Sequence, residues 1–241
     1  MSPRTILALT AATALTIAGM FAGGGSASAD DELDRNPPER LSGMPDPGAP
    51  DPLWRVWAAR DRIAATTYDW EADSAARGCE LIEVELLEEV DEGYNAAIGA
   101  PADLATVRVD RVEDCAEGAM ESHAAGSDRR PGAAPPGTSC NNGTKGPGTI
   151  CLSSSGGRIT ASWQYRGSGQ ESGFLRVYQI PSGSNGCPTG STWLTSPSMT
   201  WNSGQTRSTS KAQSQSGAYS AHIWRANTIG HSDWGATCGV F

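Results

Sequence analysis

Acidic side chains are concentrated in the first half of this 241-residue chain, and their segregation constrains how the chain can fold. Residues 30–130 contain 25 aspartates and glutamates against 10 arginines, whereas residues 131–241 contain 2 acidic side chains against 7 basic ones. Surfaces of opposite charge attract each other and are typical of separate structural units. We therefore expect two domains, an acidic one followed by a weakly basic one.

The first 29 residues have the pattern of a signal peptide. Arg4 precedes an apolar run over 6–22, and Ala27-Ser28-Ala29 provides the small residues that signal peptidase recognises. Cleavage before Asp30 would release the rest of the chain from the cell. We expect a secreted, extracellular protein that has no membrane span once this segment is removed.

All six cysteines follow the signal peptide, which favours disulfides in an exported protein. We expect no metal or cofactor, because there is no Cys-x-x-Cys pair and the chain has three histidines: His123, His222 and His231. Cys79 and Cys115 lie in the acidic half and are expected to pair. The other four allow three pairings, one of which joins Cys140 to Cys151 and Cys187 to Cys238.

Proline, glycine and charge divide the exported chain into four segments. Residues 30–50 are acidic and proline-rich, which is typical of a disordered arm. Residues 51–123 are expected to form a helical domain, 124–139 a Pro/Gly-rich linker, and 140–241 a β-sandwich domain. Arg129-Arg130 in the linker is a candidate processing site. The expected fold class is a two-domain α+β protein.

The acidic segment has helical spacing of apolar residues. Asp51-Pro52 is a helix-start signal, which predicts a first helix over about 53–76. Cys79, Ile82, Leu86 and Val90 then recur at helical intervals, and a weaker helical pattern follows over 104–119. Residues 79 and 115 are equidistant from a turn near residue 97, so a disulfide would join an antiparallel pair of helices. We expect a helical hairpin or a three-helix unit.

The basic half has the composition of an all-β domain. Short runs of β-branched and aromatic residues alternate with glycine, serine, asparagine and proline. Seven strands are predicted, over 149–152, 158–165, 173–180, 192–195, 199–202, 218–226 and 235–240. Seven strands in about 100 residues indicate an immunoglobulin-like sandwich.

Several of these strands resemble those of fibronectin type III domains. The segment Arg158-Ile159-Thr160-Ala161-Ser162-Trp163 resembles that family's second strand, and residues 173–178 resemble the next. Tyr219-x-Ala221-x-Ile223-x-Arg225 resembles the penultimate strand. The likeness covers 158–236 and implies an immunoglobulin-like β-sandwich. The chain departs from the family by lacking a Leu-x-Pro-Gly turn before Tyr219 and by having cysteines.

Strand alternation predicts a surface patch on this domain. Trp163, Leu175, Val177, Tyr219, Ala221 and Ile223 are expected to point into the core. Five alternate residues would then point outward on neighbouring strands: Phe174, Arg176, Tyr178, His222 and Trp224. Clustered exposed aromatic residues usually mark a binding surface. Candidate partners are an extracellular polysaccharide, a protein, or the acidic domain itself by intramolecular docking.

We expect a non-catalytic binding protein, with no catalytic residues, whose acidic domain modulates the sandwich. One alternative is a proprotein, in which acidic helices mask a basic antimicrobial or inhibitory β domain. A second is a hydrolase that uses His222 with Ser232 and Asp233, or the carboxylates Glu171 and Asp233. Nucleic acid is not an expected partner, because the chain carries a net charge of −9 and has no Lys/Arg cluster.

Overall fold

A computed structural model describes residues 43–116, 137–142 and 145–241. The expected signal peptide, Arg129-Arg130 and His123 lie outside the described residues. The helices are α1 (Asp51–Thr67), α2 (Trp70–Ala76) and α3 (Glu92–Ile98). The strands are β1 (Cys79–Val90), β2 (Ala105–Cys115), β3 (Thr138–Asn142), β4 (Gly148–Ser155), β5 (Arg158–Tyr165), β6 (Gln170–Ile180), β7 (Ser191–Thr195), β8 (Met199–Asn202), β9 (Gln205–Ala212), β10 (Ala218–Ala226) and β11 (His231–Val240).

The described chain is mostly β, and its strands form two antiparallel sheets. The first sheet has the order β1-β2-β9-β5-β4-β3, and the second has the order β11-β10-β6-β7, with β8 also paired to β6. Apolar side chains of both sheets share one core, in which Trp163 of the first sheet and Leu175 and Tyr219 of the second are fully buried. The sheets therefore pack through a common apolar layer, as in a β-sandwich.

All seven strands predicted in the basic half are present. Strands β3 and β9 were not predicted. Strand β9 reads Gln-Thr-Arg-Ser-Thr-Ser-Lys-Ala and has no apolar alternation, yet most of its residues are buried. Its backbone is paired with β2 on one side and with β5 on the other. Hydrogen bonding to neighbouring strands, rather than hydrophobic periodicity, holds this segment in the sheet.

The predicted helical domain over 51–123 is wrong in its second and third helices. The first helix is present, although it is interrupted after Thr67 and continues as α2. The segment 79–90 is strand β1, and 105–115 is strand β2, paired in register from Cys79↔Cys115 to Val90↔Ala105. An antiparallel β-hairpin brings residues equidistant from its turn together just as a helical hairpin does. The expected cysteine pair was therefore right although the secondary structure was wrong.

The described residues do not divide into the two domains that the charge distribution predicted. Strand β2 of the acidic half pairs with β9 of the basic half, with Val109 opposite Ser210 and Arg111 opposite Ser208. Part of the segment predicted as a disordered arm is also packed on the body, since Met44 and Ala49 contact the shared core. The opposite charges of the two halves therefore meet inside one sheet rather than between two domains.

Three disulfides cross-link the described chain: Cys79–Cys115, Cys140–Cys151 and Cys187–Cys238. The first confirms the expected pair, and the other two correspond to one of the three pairings that the sequence left open. Such bonds indicate an oxidising environment. Among the described residues, no helix has both the length and the apolar character needed to cross a membrane.

A buried ion-pair network joins α2 to the first sheet. The side chain of Glu113 on β2 is fully buried and accepts hydrogen bonds from Arg77 and from Ser74 Oγ, the latter at 2.6 Å. Arg111 Nη1 lies 2.6 Å from Asp73 Oδ2. Burial by itself would raise the pKa of Glu113, but Arg111 and the hydrogen bond from Arg77 outweigh it and lower the pKa below its usual range.

Acid should therefore destabilise the protein through this network. Because the pKa of Glu113 is lower in the folded state, its ionised form stabilises the fold above the unfolded pKa of about 4, and this contribution is lost as the pH falls towards the folded pKa. Asp61 acts in the opposite direction, since burial raises its pKa. Urea unfolding between pH 7 and pH 3 should show a less steep pH dependence in Glu113→Gln. Glu85→Gln, at an exposed position on β1, should keep the wild-type slope.

Candidate binding site

The predicted patch lies on the outer face of the second sheet. Strands β6 and β10 are antiparallel neighbours in which Phe174 is opposite Trp224 and Arg176 is opposite His222. The residues that alternate with these along each strand point the other way, and Leu175, Val177 and Ile223 are therefore buried in the core. The side chains of opposite residues on one sheet face lie about 5 Å apart. The alternation inferred from the sequence is therefore correct.

Contacts between rings hold the patch together. The rings of Phe174 and Trp224 are 6.4 Å apart and nearly parallel, and those of His222 and Trp224 are 5.9 Å apart and also nearly parallel. Tyr178 meets His222 edge-on at 5.3 Å. The guanidinium group of Arg176 lies 4.9 Å from the centre of the Phe174 ring, within cation–π range. All five predicted residues thus form one cluster, which we call the aromatic patch.

Two members of the aromatic patch are more buried than the sequence predicted. Tyr178 is 5% exposed and His222 is 3% exposed. The loop over residues 181–190 lies near them, because Ser220, on the same sheet face, donates a 2.6 Å hydrogen bond to Pro188 O. The disulfide Cys187–Cys238 ties this loop to β11. Alternation predicts which face a side chain is on, but not whether a loop then covers that face.

An open recess lies beside the exposed part of the patch. It is lined by Phe174, Arg176, Tyr178, Thr189, Gly190, Trp224 and His231. Sequence reasoning missed three of these residues. Thr189 and Gly190 belong to the covering loop, and His231 begins β11, where its ring meets Phe174 edge-on at 4.8 Å. The register between β10 and β11 that brings His231 close could not be read from the sequence.

The recess has a cation and no carboxylate in its lining. Arg176 Nε donates to Thr195 Oγ1 at 3.0 Å, and within the described part of the chain the guanidinium has no ion-pair partner. Behind it, His222 Nδ1 donates to Asp233 Oδ2 at 3.3 Å, since a carboxylate can only accept. The other ring nitrogen of His222 and Trp224 Nε1 are buried without a hydrogen-bond partner among the described residues.

The residues considered for hydrolysis do not come together as a triad. His222 and Asp233 are paired, but Ser232 exchanges hydrogen bonds with the side chain of Asn227 at 3.1–3.3 Å. Glu171 accepts two hydrogen bonds from Arg225, at 2.9 and 3.1 Å. Ser232 and Glu171 are therefore accounted for by local structural contacts.

Comparison of the chain with protein-family models, curated proteins and solved structures gives no match. The resemblance of 158–236 to fibronectin type III domains therefore stays a prediction, based on the residues themselves. No family's functional residues can be transferred to the aromatic patch, and its function has to be argued from its own chemistry.

Proposed function

We propose that this chain is a secreted, non-catalytic protein that binds an extracellular polysaccharide through the aromatic patch. The observation that carries the proposal is the recess that Phe174, Trp224 and Arg176 form on the outer face of the second sheet. Extracellular action is supported by the three disulfides and by the signal-like residues 1–29.

The chemistry of the recess favours a sugar polymer over a protein. Aromatic faces carry partial negative charge and attract the polarised C–H groups of a sugar ring. Arg176 provides hydrogen-bond donors that a sugar hydroxyl or carboxylate can accept. Because no carboxylate lines the recess, anionic sugars are not repelled. An open surface of this shape fits one stretch of a long polymer.

The strand order also supports a binding module. Strands β9-β5-β4 and β11-β10-β6 occur in the same relative order as strands E-B-A and G-F-C of immunoglobulin-like sandwiches. The paired sheets of such sandwiches can support a recognition surface, as in antibody variable domains. The proprotein alternative is less well supported, because β2 pairs with β9 and a cut near Arg130 would leave the two parts joined in one sheet.

Trp224→Ala should weaken retention on insoluble polysaccharide by at least about tenfold, the usual loss for a central aromatic contact of about 1.4 kcal/mol or more. The measurement is co-sedimentation of residues 30–241 with chitin, cellulose and bacterial cell-wall preparations. Ile63→Ala, at an exposed position on α1 and outside the recess, is the control and should retain wild-type binding.

Other outcomes of the co-sedimentation assay would favour a different binding surface or a different ligand. Retention that is equal in wild type and Trp224→Ala would contradict a role for the aromatic patch. Binding to protein fibres but to no polysaccharide would replace the proposed ligand with a protein.

Arg176→Gln should weaken binding to anionic polysaccharides and leave binding to neutral ones unchanged, because only anionic polysaccharides need the positive charge of Arg176.

A further inference from the structure

A second recess lies far from the aromatic patch in the fold, between the helices and the outer face of the first sheet. Its volume is 310 Å³, which is within the range of small-molecule sites. One wall is formed by the end of α1 and by α2, and the floor by β2, β4 and β5. We call it the helix–sheet cleft. It is lined by Asp61, Ala64, Ala65, Tyr68, Trp70, Asp73, Ala76, Arg77, Arg111, Thr138, Ser153, Ser154, Ser155, Gly156, Arg158 and Thr160.

The floor of this cleft is polar although helices cover it. Thr160 of β5 lies opposite Ser153 of β4 and Ser210 of β9, so that three hydroxyl residues are adjacent on one sheet face. Helices that pack on a sheet usually bury apolar residues. The hydroxyls of Thr160 and Ser153 make no hydrogen bond with other described residues, which leaves donors and acceptors for a polar occupant.

The charged groups around the cleft balance one another. Arg158 Nη1 lies 2.7 Å from Asp61 Oδ1, and Arg111 Nη1 lies 2.6 Å from Asp73 Oδ2. Arg77 is paired with the buried Glu113. Three guanidinium groups are thus compensated by three carboxylates. A charged ligand would leave an unpaired charge in a partly enclosed site, and this favours a neutral one.

An aromatic side chain forms one edge of the cleft. Tyr68 lies between α1 and α2, is 37% exposed, and donates a 3.1 Å hydrogen bond to Asp73. Its ring packs over the β4–β5 turn, where a Cβ on Gly156 would come within 3.1 Å of it. Gly156 also has a φ of +57°, which favours glycine. The ring of Trp70 lies 4.5 Å from that of Tyr68.

We infer that the helix–sheet cleft binds one neutral sugar unit, a monosaccharide or the end of a short glycan. Ring hydroxyls match the free hydroxyls of Thr160 and Ser153 and the carboxylate of Asp61, while Tyr68 offers a ring to the apolar side of the sugar. This site shares no residue with the recess at the aromatic patch. The inference does not depend on the proposed function.

The test is ligand-observed NMR and calorimetry of residues 30–241 with glucose, galactose, N-acetylglucosamine and their β-linked disaccharides. At least one of these probes should bind. Tyr68→Ala should weaken that binding by about tenfold, the loss usual for removing one aromatic stacking contact. Tyr68→Phe keeps the ring and should bind nearly as tightly as wild type. Thr160→Val should weaken binding by about two- to tenfold, and Thr160→Ser should restore it.

Three results would overturn the inference. The first is that none of the six probes binds wild-type protein at concentrations up to about 10 mM. The second is binding that Tyr68→Ala leaves unchanged while circular dichroism shows the variant to be folded. The third is binding that Trp224→Ala abolishes, since the probe would then occupy the aromatic patch. Polymer retention with no binding of small sugars would support the proposed function and refute this inference.

Discussion

Lys211→Met is expected to lower the free energy of unfolding by about 3–5 kcal/mol, because it removes one partner of a buried ion pair. The side chain of Lys211 on β9 is fully buried. Its ammonium lies 3.0 Å from both Glu89 Oε1 and Asp91 Oδ2 and 4.6 Å from the ring centre of Tyr94. Glu89 retains Arg108 as a second partner, whereas Asp91 loses its cation. Urea denaturation at pH 7 measures the change.

The chain contains its own control for this prediction. It has two lysines, and the other, Lys145, is 64% exposed at 3.8 Å from Asp233. Lys145→Met should change stability by less than about 1 kcal/mol. Adding Asp91→Asn to Lys211→Met should recover part of the loss, since asparagine can still cap α3, where Asp91 accepts from Tyr94 N at 3.0 Å. Equal effects of the two lysine changes would contradict a buried network.

Removing the disulfide Cys187–Cys238 as a double alanine variant is expected to cost about 4 kcal/mol, against about 3 kcal/mol for Cys140–Cys151. The first bond joins residues 51 apart in sequence and the second joins residues 11 apart. The longer loop restricts the unfolded chain more. Urea unfolding of both variants at one pH gives the comparison, and a larger loss for Cys140–Cys151 would contradict the ranking.

The double alanine variant of Cys187 and Cys238 should also bind less well through the aromatic patch. The loop over 181–190 contributes Thr189 and Gly190 to the recess and is tied to β11 by Cys187–Cys238. Without this bond we expect weaker retention on polysaccharide even under conditions where the protein remains folded. The Cys140–Cys151 variant should bind normally, because that bond joins β3 to β4 in the other sheet.

The N-terminal half cannot be treated as a detachable modulator in such experiments. Besides the β2–β9 pairing, Arg158 of β5 is paired with Asp61 of α1 and donates to Val107 O at 2.7 Å. A fragment limited to 140–241 would expose β9 as an edge strand and leave Arg158 and Lys211 without their carboxylates. The binding tests therefore need the chain from residue 30.

The sequence was sufficient for features that depend on neighbours along the chain. Two-residue alternation predicted β5 and β10 with their observed bounds and the face on which Phe174, Arg176 and Trp224 lie. The equal spacing of Cys79 and Cys115 about a turn near residue 97 also predicted their bond, although for a pair of helices. The alternation Ile82-Glu83-Val84-Glu85-Leu86 was present as a strand signal too, but the same segment also has helical spacing, and local pattern does not decide between them.

Only the tertiary structure decided between these possibilities. Segment 79–90 is a strand because it pairs with β2, which in turn pairs with β9, a polar strand that no local signal revealed. The helix–sheet cleft likewise draws Asp61, Arg111 and Arg158 from three separate segments. The hydrogen bonds between distant strands form only when the chain folds. Their contribution to stability therefore cannot be inferred from any short stretch of sequence. The sequence by itself determined the main strands of the basic half, the Cys79–Cys115 pair and the sheet face of the aromatic patch, whereas the fold determined that both halves share one sheet.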